Sequence, residues 1–142
     1  MTDIAFHTGI ANPLEYACRL LRKAYRGGTG VAVHGADAFL DRLDQALWAF
    51  EPLEFVPHAM VPRDATDPAR VARSPIVLVH AGADAPARAV AVAVGAAWPG
   101  DASAYERVIE IVGLDAQERE AGRRRWRDYE RAGHALTHVP AG

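Results

Sequence analysis

The sequence predicts a single α/β domain in which helices cover both faces of a mostly parallel sheet, as in a Rossmann-like three-layer sandwich. Short apolar runs rich in β-branched residues alternate with segments of helical periodicity along the chain. A chain of 142 residues is long enough for one domain with a proper core and hardly long enough for two. We therefore expect residues 1–142 to form one unit.

Composition and charge exclude several classes of function. The chain is 50% hydrophobic and 24% charged, which is typical of globular proteins, and its formal net charge of −2 gives no general attraction for nucleic acid. The single cysteine, Cys18, excludes an intramolecular disulfide and a multi-cysteine zinc site, and we expect no metal or cofactor. Because no signal peptide is visible and no apolar run approaches the roughly 20 residues of a bilayer span, we expect a cytoplasmic protein without membrane contact.

The first half of the chain shows two strand–helix units. Residues 3–7 are predicted to form a strand, and Asn12 followed by proline is typical of a helix start. The helix should end at Gly27. The apolar residues 30–34 suit a central parallel strand, and Asp37 is the expected N-cap of the second helix.

The second half contains a polar connection, three strands and a last helix. Residues 60–74 are rich in Pro, Asp and Arg, and predict a surface connection with one helical turn near 68–71. The apolar patterns predict strands at 76–80, 88–94 and 105–112. Asp115 should cap a helix that runs to about residue 132, and we expect residues 134–142 to fray beyond a possible anchor at Leu136.

A kinked corner follows the second helix. The helix carries one apolar stripe, formed by Leu40, Leu43 and Leu47. Pro52 and Pro57 then interrupt regular structure, so that Trp48 and Phe55 are placed around a turn. Two large aromatic residues at such a corner are explained either as part of the core or as a docking site for a partner protein.

The last helix is rich in arginine. Arg119, Arg123 and Arg127 recur every four residues and form one stripe, which Trp126 borders. A solvated helix with cations near its C-terminus is one explanation. The other is a recognition face for an acidic peptide that ends in an aromatic residue. Direct binding of single-stranded DNA is a weaker third, because the domain as a whole is slightly acidic.

Signals for catalysis are sparse. The six histidines are scattered and lack the helical spacing of a metal pair. His34 and His80 end strands, where α/β folds place sites, so an enzyme that depends on a nucleotide or small molecule is the alternative function. The acidic residues near the second helix are most simply explained by solubility; they are Asp41, Asp44 and Glu51.

Three separated motifs carry a resemblance to a known family. The first is Leu-Asp-Xaa-Ala-Leu-Trp at 43–48 with Phe-Val-Pro-His at 55–58. The second is Tyr-Glu-Arg-Val-Ile-Glu-Ile-Val at 105–112, and the third is Arg-Xaa-Arg-Trp-Arg-Xaa-Tyr-Xaa-Xaa-Ala-Gly-Xaa-Xaa-Leu at 123–136. Together, in this order, they resemble the chi subunit of bacterial DNA polymerase III, an accessory protein of the clamp loader.

The resemblance implies a non-catalytic adaptor of the replisome. Members of that family bridge the clamp loader, through its psi subunit, to the acidic C-terminal tail of single-stranded DNA-binding protein. The tail-binding residues implied here are Val112, Arg119, Arg123, Trp126 and Arg127. The implied psi-binding residues are Trp48 and Phe55. Trp126 stands where tyrosine is common and Arg127 where lysine is common, and both changes keep an apolar wall and a cation.

Overall fold

A computed structural model of the chain describes residues 2–49, 55–95 and 101–141. The helices are α1 (Pro13–Arg26), α2 (Asp37–Ala49), α3 (Pro68–Arg73) and α4 (Ala116–Arg131). The strands are β1 (Asp3–Ile10), β2 (Val31–Gly35), β3 (His58–Val61), β4 (Ile76–Val79), β5 (Val90–Val94), β6 (Arg107–Gly113) and β7 (Ala135–Pro140).

All seven strands join one sheet in the order β3-β4-β2-β5-β6-β1-β7. Each of the six pairings between neighbouring strands is parallel. The predicted α/β class is therefore confirmed, with a sheet that is parallel throughout the described residues rather than mostly so. The apolar runs predicted at 76–80 and 88–94 form β4, which lies between β3 and β2, and the central β5.

Helices cover both faces of the sheet, which gives the three expected layers. On one face, α1 and α2 pack against alternate residues of the strands, such as Val31 and Val33 of β2. The predicted stripe on α2 is fully buried there: Leu40, Leu43 and Leu47. The strand residues that point to the other face of the sheet form two clusters. One includes Ala91 and Ala93 and packs against α4, and the other lies near α3. Such alternation is what a strand buried on both sides requires.

Two strands were not expected. β3 lies where we predicted an extended turn followed by a surface connection, and its residues Met60 and Val61 are buried. The frayed tail predicted at 134–142 is wrong, because Ala135–Pro140 pairs with β1 along its length and places Leu136 opposite Ile4. The predicted helical turn near 68–71 is confirmed as α3.

The helix starts follow their capping residues with one exception. The side chains of Asn12 and Asp115 accept hydrogen bonds from Glu15 N and Glu118 N, as the N-cap prediction requires. Asp37 is not the cap. It is the first residue of α2, and its carboxylate accepts a hydrogen bond from Ala81 N at 2.9 Å, which ties α2 to the loop after β4. Pro52, which we expected to stop the helix, lies outside the described residues.

Candidate functional site

A groove of about 770 Å³ runs between α4 and the end of the sheet formed by β6, β1 and β7. All five residues of the predicted tail-binding set line it. They are Val112, Arg119, Arg123, Trp126 and Arg127. The sequence placed four of these on one helix and Val112 at the end of the preceding strand, and the fold brings the two elements together.

Close approach of α4 to the sheet forms one wall of the groove. Gly122 has no side chain, and a Cβ added there would lie 3.3 Å from a methyl carbon of Val112, which is tighter than usual contact. Gly122 therefore lets the helix backbone rest on β6. One turn further along, Trp126 meets Phe6 of β1 edge to face, with ring centroids 5.2 Å apart. The floor is thus apolar, and both Phe6 and Val112 are buried.

The rim of the groove is cationic. Arg119, Arg123 and Arg127 are exposed along the edge of α4. Within the described part of the chain, Arg119 and Arg127 have no ion-pair partner, and Arg123 makes only a 3.4 Å contact with the exposed Glu120. Exposed pairs of that kind contribute little free energy. The guanidinium groups are therefore available to an anion that enters the groove.

A buried ion pair fixes α4 on the sheet. Glu110 of β6 is 0% exposed, and both its oxygens accept hydrogen bonds from the Arg125 guanidinium at 2.9 Å. The Tyr129 hydroxyl donates to the same carboxylate at 2.7 Å. Burial raises the pKa of Glu110, while Arg125 and Tyr129 oppose that rise. Burial and the adjacent carboxylate both raise the pKa of Tyr129. Arg125 is thus structural, although it belongs to the same arginine-rich run.

The opposite wall of the groove comes from residues that the sequence analysis did not select. Thr8 and Gly9 of β1 and His138 of β7 line it, and the Thr8 hydroxyl lies 2.6 Å from His138 Nε2. Gly9 has a φ of +71°, a backbone conformation that residues with a side chain rarely adopt. The sequence shows no sign of this wall, because Ala135–Pro140 has mostly exposed side chains and was expected to fray.

A second candidate surface is formed by Trp48 and Phe55. Their rings stack with centroids 4.8 Å apart and planes inclined by 25°. Trp48 is 54% exposed and Phe55 is 41% exposed. Of the two explanations that the sequence left open, burial in the core is wrong, and a docking site for a partner protein stays a prediction. Exposed aromatic pairs are enriched at protein–protein interfaces.

A buried polar cluster lies beneath this aromatic pair. Asp44, which we expected on the helix surface, is buried and accepts hydrogen bonds from Arg63 Nη1 at 2.9 Å and Arg63 Nη2 at 3.2 Å. His58 Nε2 lies 2.9 Å from the same carboxylate. Burial raises the pKa of Asp44, but the hydrogen bonds of Arg63 and His58 outweigh it and hold this pKa below its ordinary value. The assignment of Asp44 to solubility is therefore wrong.

The strand-end histidines of the alternative function do not converge on one site. His34 Nε2 lies 3.1 Å from the Tyr105 hydroxyl, and burial lowers the pKa of His34. His80 Nε2 lies 2.9 Å from Asp41 Oδ1. Neither lines the groove on α4. Among residues 2–49, 55–95 and 101–141, no three His, Cys, Asp or Glu side chains are placed to hold a metal ion. None of the helices described is both long and apolar enough to cross a membrane.

Comparisons with known proteins identify the family. The profile of the family described as "DNA polymerase III chi subunit, HolC" matches residues 1–137. The chain is also 32% identical over 124 residues to the DNA polymerase III subunit chi of Pseudomonas aeruginosa, a match that covers 87% of this chain and 82% of that protein. The chain therefore belongs to the family of DNA polymerase III chi subunits.

Proposed function

We propose that this accessory subunit of DNA polymerase III, which serves DNA replication, is a non-catalytic adaptor between two proteins. The groove on α4 binds the acidic, phenylalanine-ended tail of single-stranded DNA-binding protein. The Trp48–Phe55 pair binds the psi subunit of the clamp loader. The observation that carries the proposal is the convergence of all five predicted tail-binding residues on one groove with an apolar floor and a cationic rim.

The chemistry of the groove suits such a peptide. A terminal phenylalanine ring fills the slot over Val112 and beside Trp126. Its burial there removes apolar surface of both the ring and the groove from water, which favours binding. Its carboxylate then lies within reach of the guanidinium groups on α4, which bind both oxygens with a fork of donors. Aspartates upstream of the phenylalanine face the remaining arginines and are screened by salt over roughly 8 Å at physiological ionic strength.

Arg123 is the proposed carboxylate clamp. It lies on the same exposed edge as Arg119 and Arg127, one turn from each, and three residues before Trp126. Its contact with Glu120 is long and exposed, so that little is lost when the guanidinium turns toward a ligand. We expect the two flanking arginines to contribute less each and to depend more on salt.

Calorimetric titration with the tail peptide tests the site. Arg123→Ala and Trp126→Ala should each weaken binding by about tenfold or more, or about 1.4 kcal/mol. Arg124→Ala is the matched control, because Arg124 is an exposed arginine of the same helix that does not line the groove. Compared with the free-carboxylate peptide, a peptide with an amidated C-terminus should bind the wild type much more weakly. It should bind Arg123→Ala only slightly more weakly, because that variant has already lost the carboxylate contact. Equal, small losses in all three variants would replace the groove with a diffuse charge effect.

The psi-binding surface needs its own test. Phe55→Ala and Trp48→Ala should weaken the complex with the cognate psi subunit and leave tail-peptide affinity unchanged. Arg123→Ala should weaken tail-peptide binding and leave psi affinity unchanged. Full retention of psi binding in both aromatic variants would remove this surface from the proposal.

Two rival functions give different results in simple assays. An enzyme that uses nucleotides near His34 and His80 should be stabilised by those ligands, whereas the adaptor should be stabilised by the tail peptide alone. A direct DNA-binding protein should hold a bare oligonucleotide at physiological salt. We expect no such binding, because the net charge is −2.

A further inference from the structure

His58 has a hydrogen-bond environment that only a doubly protonated ring satisfies. Its side chain is 0% exposed. Nδ1 lies 2.8 Å from the carbonyl oxygen of Val56, and Nε2 lies 2.9 Å from Asp44 Oδ1. A carbonyl oxygen can only accept, so Nδ1 must carry a proton. The protonation of Nε2 then depends on the state of Asp44.

Asp44 is held as a carboxylate. Both its oxygens accept from the Arg63 guanidinium, at 2.9 Å and 3.2 Å, and this adjacent cation favours the ionised carboxylate over the protonated acid. Although burial acts in the opposite direction, the hydrogen bonds from Arg63 and His58 keep the pKa of Asp44 low. With acceptors on both sides, the His58 ring donates from both nitrogens and is an imidazolium.

The charged groups around this ring come from three elements. Asp44 lies on α2, Arg63 and Asp64 lie in the 3₁₀ turn after β3, and Arg70 of α3 contacts Asp64 at 3.4 Å. The Asp44 carboxylate is the nearest charge to the ring and is shared with Arg63. The Asp44 carboxylate therefore accepts the ring proton on one side of His58, and aromatic rings pack against the other side of the same imidazole.

The rings above His58 are those of the exposed pair. The His58 centroid is 5.4 Å from that of Trp48, with planes inclined by 62°, and 6.0 Å from that of Phe55. A cation that lies over the face of an aromatic ring, within about 6 Å of its centroid, is attracted by the quadrupole of the ring, more strongly where water is excluded. Both centroid distances lie within about 6 Å, so a buried imidazolium at this place can attract the two rings and hold them in their stacked arrangement.

We propose that His58, protonated and locked by Asp44, is the positioning residue of the Trp48–Phe55 surface. The surface is then pre-organised for its partner, because the two side chains do not lose rotamer freedom on binding. Its affinity for the partner depends on a charge that the partner does not touch. This inference rests on the proposed psi-binding function of the same surface.

Nuclear magnetic resonance on the wild-type chain at pH 7.5 tests the protonation directly. Long-range ¹H–¹⁵N correlation of the His58 ring should show two nitrogens of the protonated type. One protonated and one bare nitrogen would overturn the inference, whatever the binding data show. His80, whose ring contacts the exposed Asp41, provides an internal comparison of a histidine–aspartate contact at the surface.

Substitution then tests the positioning. His58→Gln keeps a side-chain amide that can donate to Asp44 but removes the charge. We expect weaker nuclear Overhauser effects between the Trp48 and Phe55 rings and a loss of psi affinity on the order of fivefold or more. Unchanged ring contacts with unchanged affinity in a folded His58→Gln chain would reduce His58 to packing.

Phe55→Ala separates this inference from the proposed function. If Phe55→Ala binds psi like the wild type, the surface itself is wrong. If Phe55→Ala fails to bind and His58→Gln binds normally, the surface stands and the positioning role of His58 is refuted. His58→Asn is the second variant, since its amide nitrogen can replace Nδ1 as donor to Val56 without reaching Asp44, and we expect the same loss of affinity.

Discussion

Removal of one member of the Glu110–Arg125 pair should destabilise the fold far more than removal of both. Glu110→Leu leaves the guanidinium of Arg125, whose side chain is 13% exposed, without its bidentate acceptor. Arg125→Met leaves a carboxylate at 0% exposure with the Tyr129 hydroxyl as its donor. Loss of one partner from a buried pair costs about 3–5 kcal/mol, because the other charge stays buried and uncompensated.

The double variant Glu110→Leu/Arg125→Met removes both charges and leaves apolar side chains of similar volume. Its expected loss is about 1–3 kcal/mol, because the Tyr129 hydroxyl is left without its acceptor. Addition of Tyr129→Phe should recover part of that loss. The two single changes are therefore strongly non-additive, as expected for groups in direct contact.

Equilibrium unfolding in urea, followed by circular dichroism, measures these free energies. Arg131→Met is the control, because Arg131 belongs to the same helix and contacts Asp128 at the surface at 3.3 Å. We expect it to change stability by no more than about 0.5 kcal/mol. Additive losses in the double variant, or single losses no larger than that of the control, would refute the view that this pair fixes α4.

Three further outcomes are expected. Phe55→Ala should lower the free energy of unfolding by about 1–2 kcal/mol, because the ring is 41% exposed; a loss of 3–5 kcal/mol would place it in the core. For Asp64, burial raises the pKa, but hydrogen bonds from Arg63 and Met60 N outweigh it and hold this pKa below the ordinary 3.8. Its stabilisation is therefore present above that value and lost as pH falls through the native pKa, and Asp64→Asn should flatten acid unfolding curves below about pH 4. Burial raises the pKa of the Cys18 thiol to about 11, so its reaction with thiol reagents at pH 8 should be slow in the native state and fast in denaturant.

Local patterns in the sequence were enough for the fold class and for one side of the groove. The buried stripe of α2 and the alignment of Arg119, Arg123 and Arg127 on α4 follow from helical spacing alone. Strands β4 and β5 follow from apolar runs of the right length. These features depend on residues close together in the sequence, so the local hydrophobic periodicity is enough to predict them.

The missed features depend on contacts between distant parts of the chain. β7 is an edge strand with mostly exposed side chains, so its sequence lacks an apolar alternation, and only its pairing with β1 makes it a strand. Asp44 lies among charged and apolar residues of a helix, and the surrounding sequence does not predict its contacts with His58 and Arg63. The polar network under the aromatic pair was therefore invisible until the fold brought α2, β3 and the following turn together.

The two proposed surfaces lie at opposite edges of the sheet. The groove uses β6, β1 and β7, whereas His58 under the aromatic pair belongs to β3, the strand at the other end. Six inter-strand spacings separate β3 from β7, or roughly 29 Å at about 4.8 Å each. A hydrogen-bonded sheet with both faces covered holds that separation, so that one chain can carry two partners that do not collide.

This arrangement predicts that the two binding events are independent. Saturation with the tail peptide should leave the affinity for the psi subunit unchanged within about twofold, and reciprocity requires the same of tail affinity in the presence of psi. The double variant Arg123→Ala/Phe55→Ala should show each single defect and no more, because sites farther apart than about 10 Å without shared partners are usually additive. Calorimetric titration of the preformed complexes measures both quantities. A tenfold coupling in either direction would show that α4 and the Trp48–Phe55 surface communicate through the sheet, and a rigid adaptor would then be the wrong description.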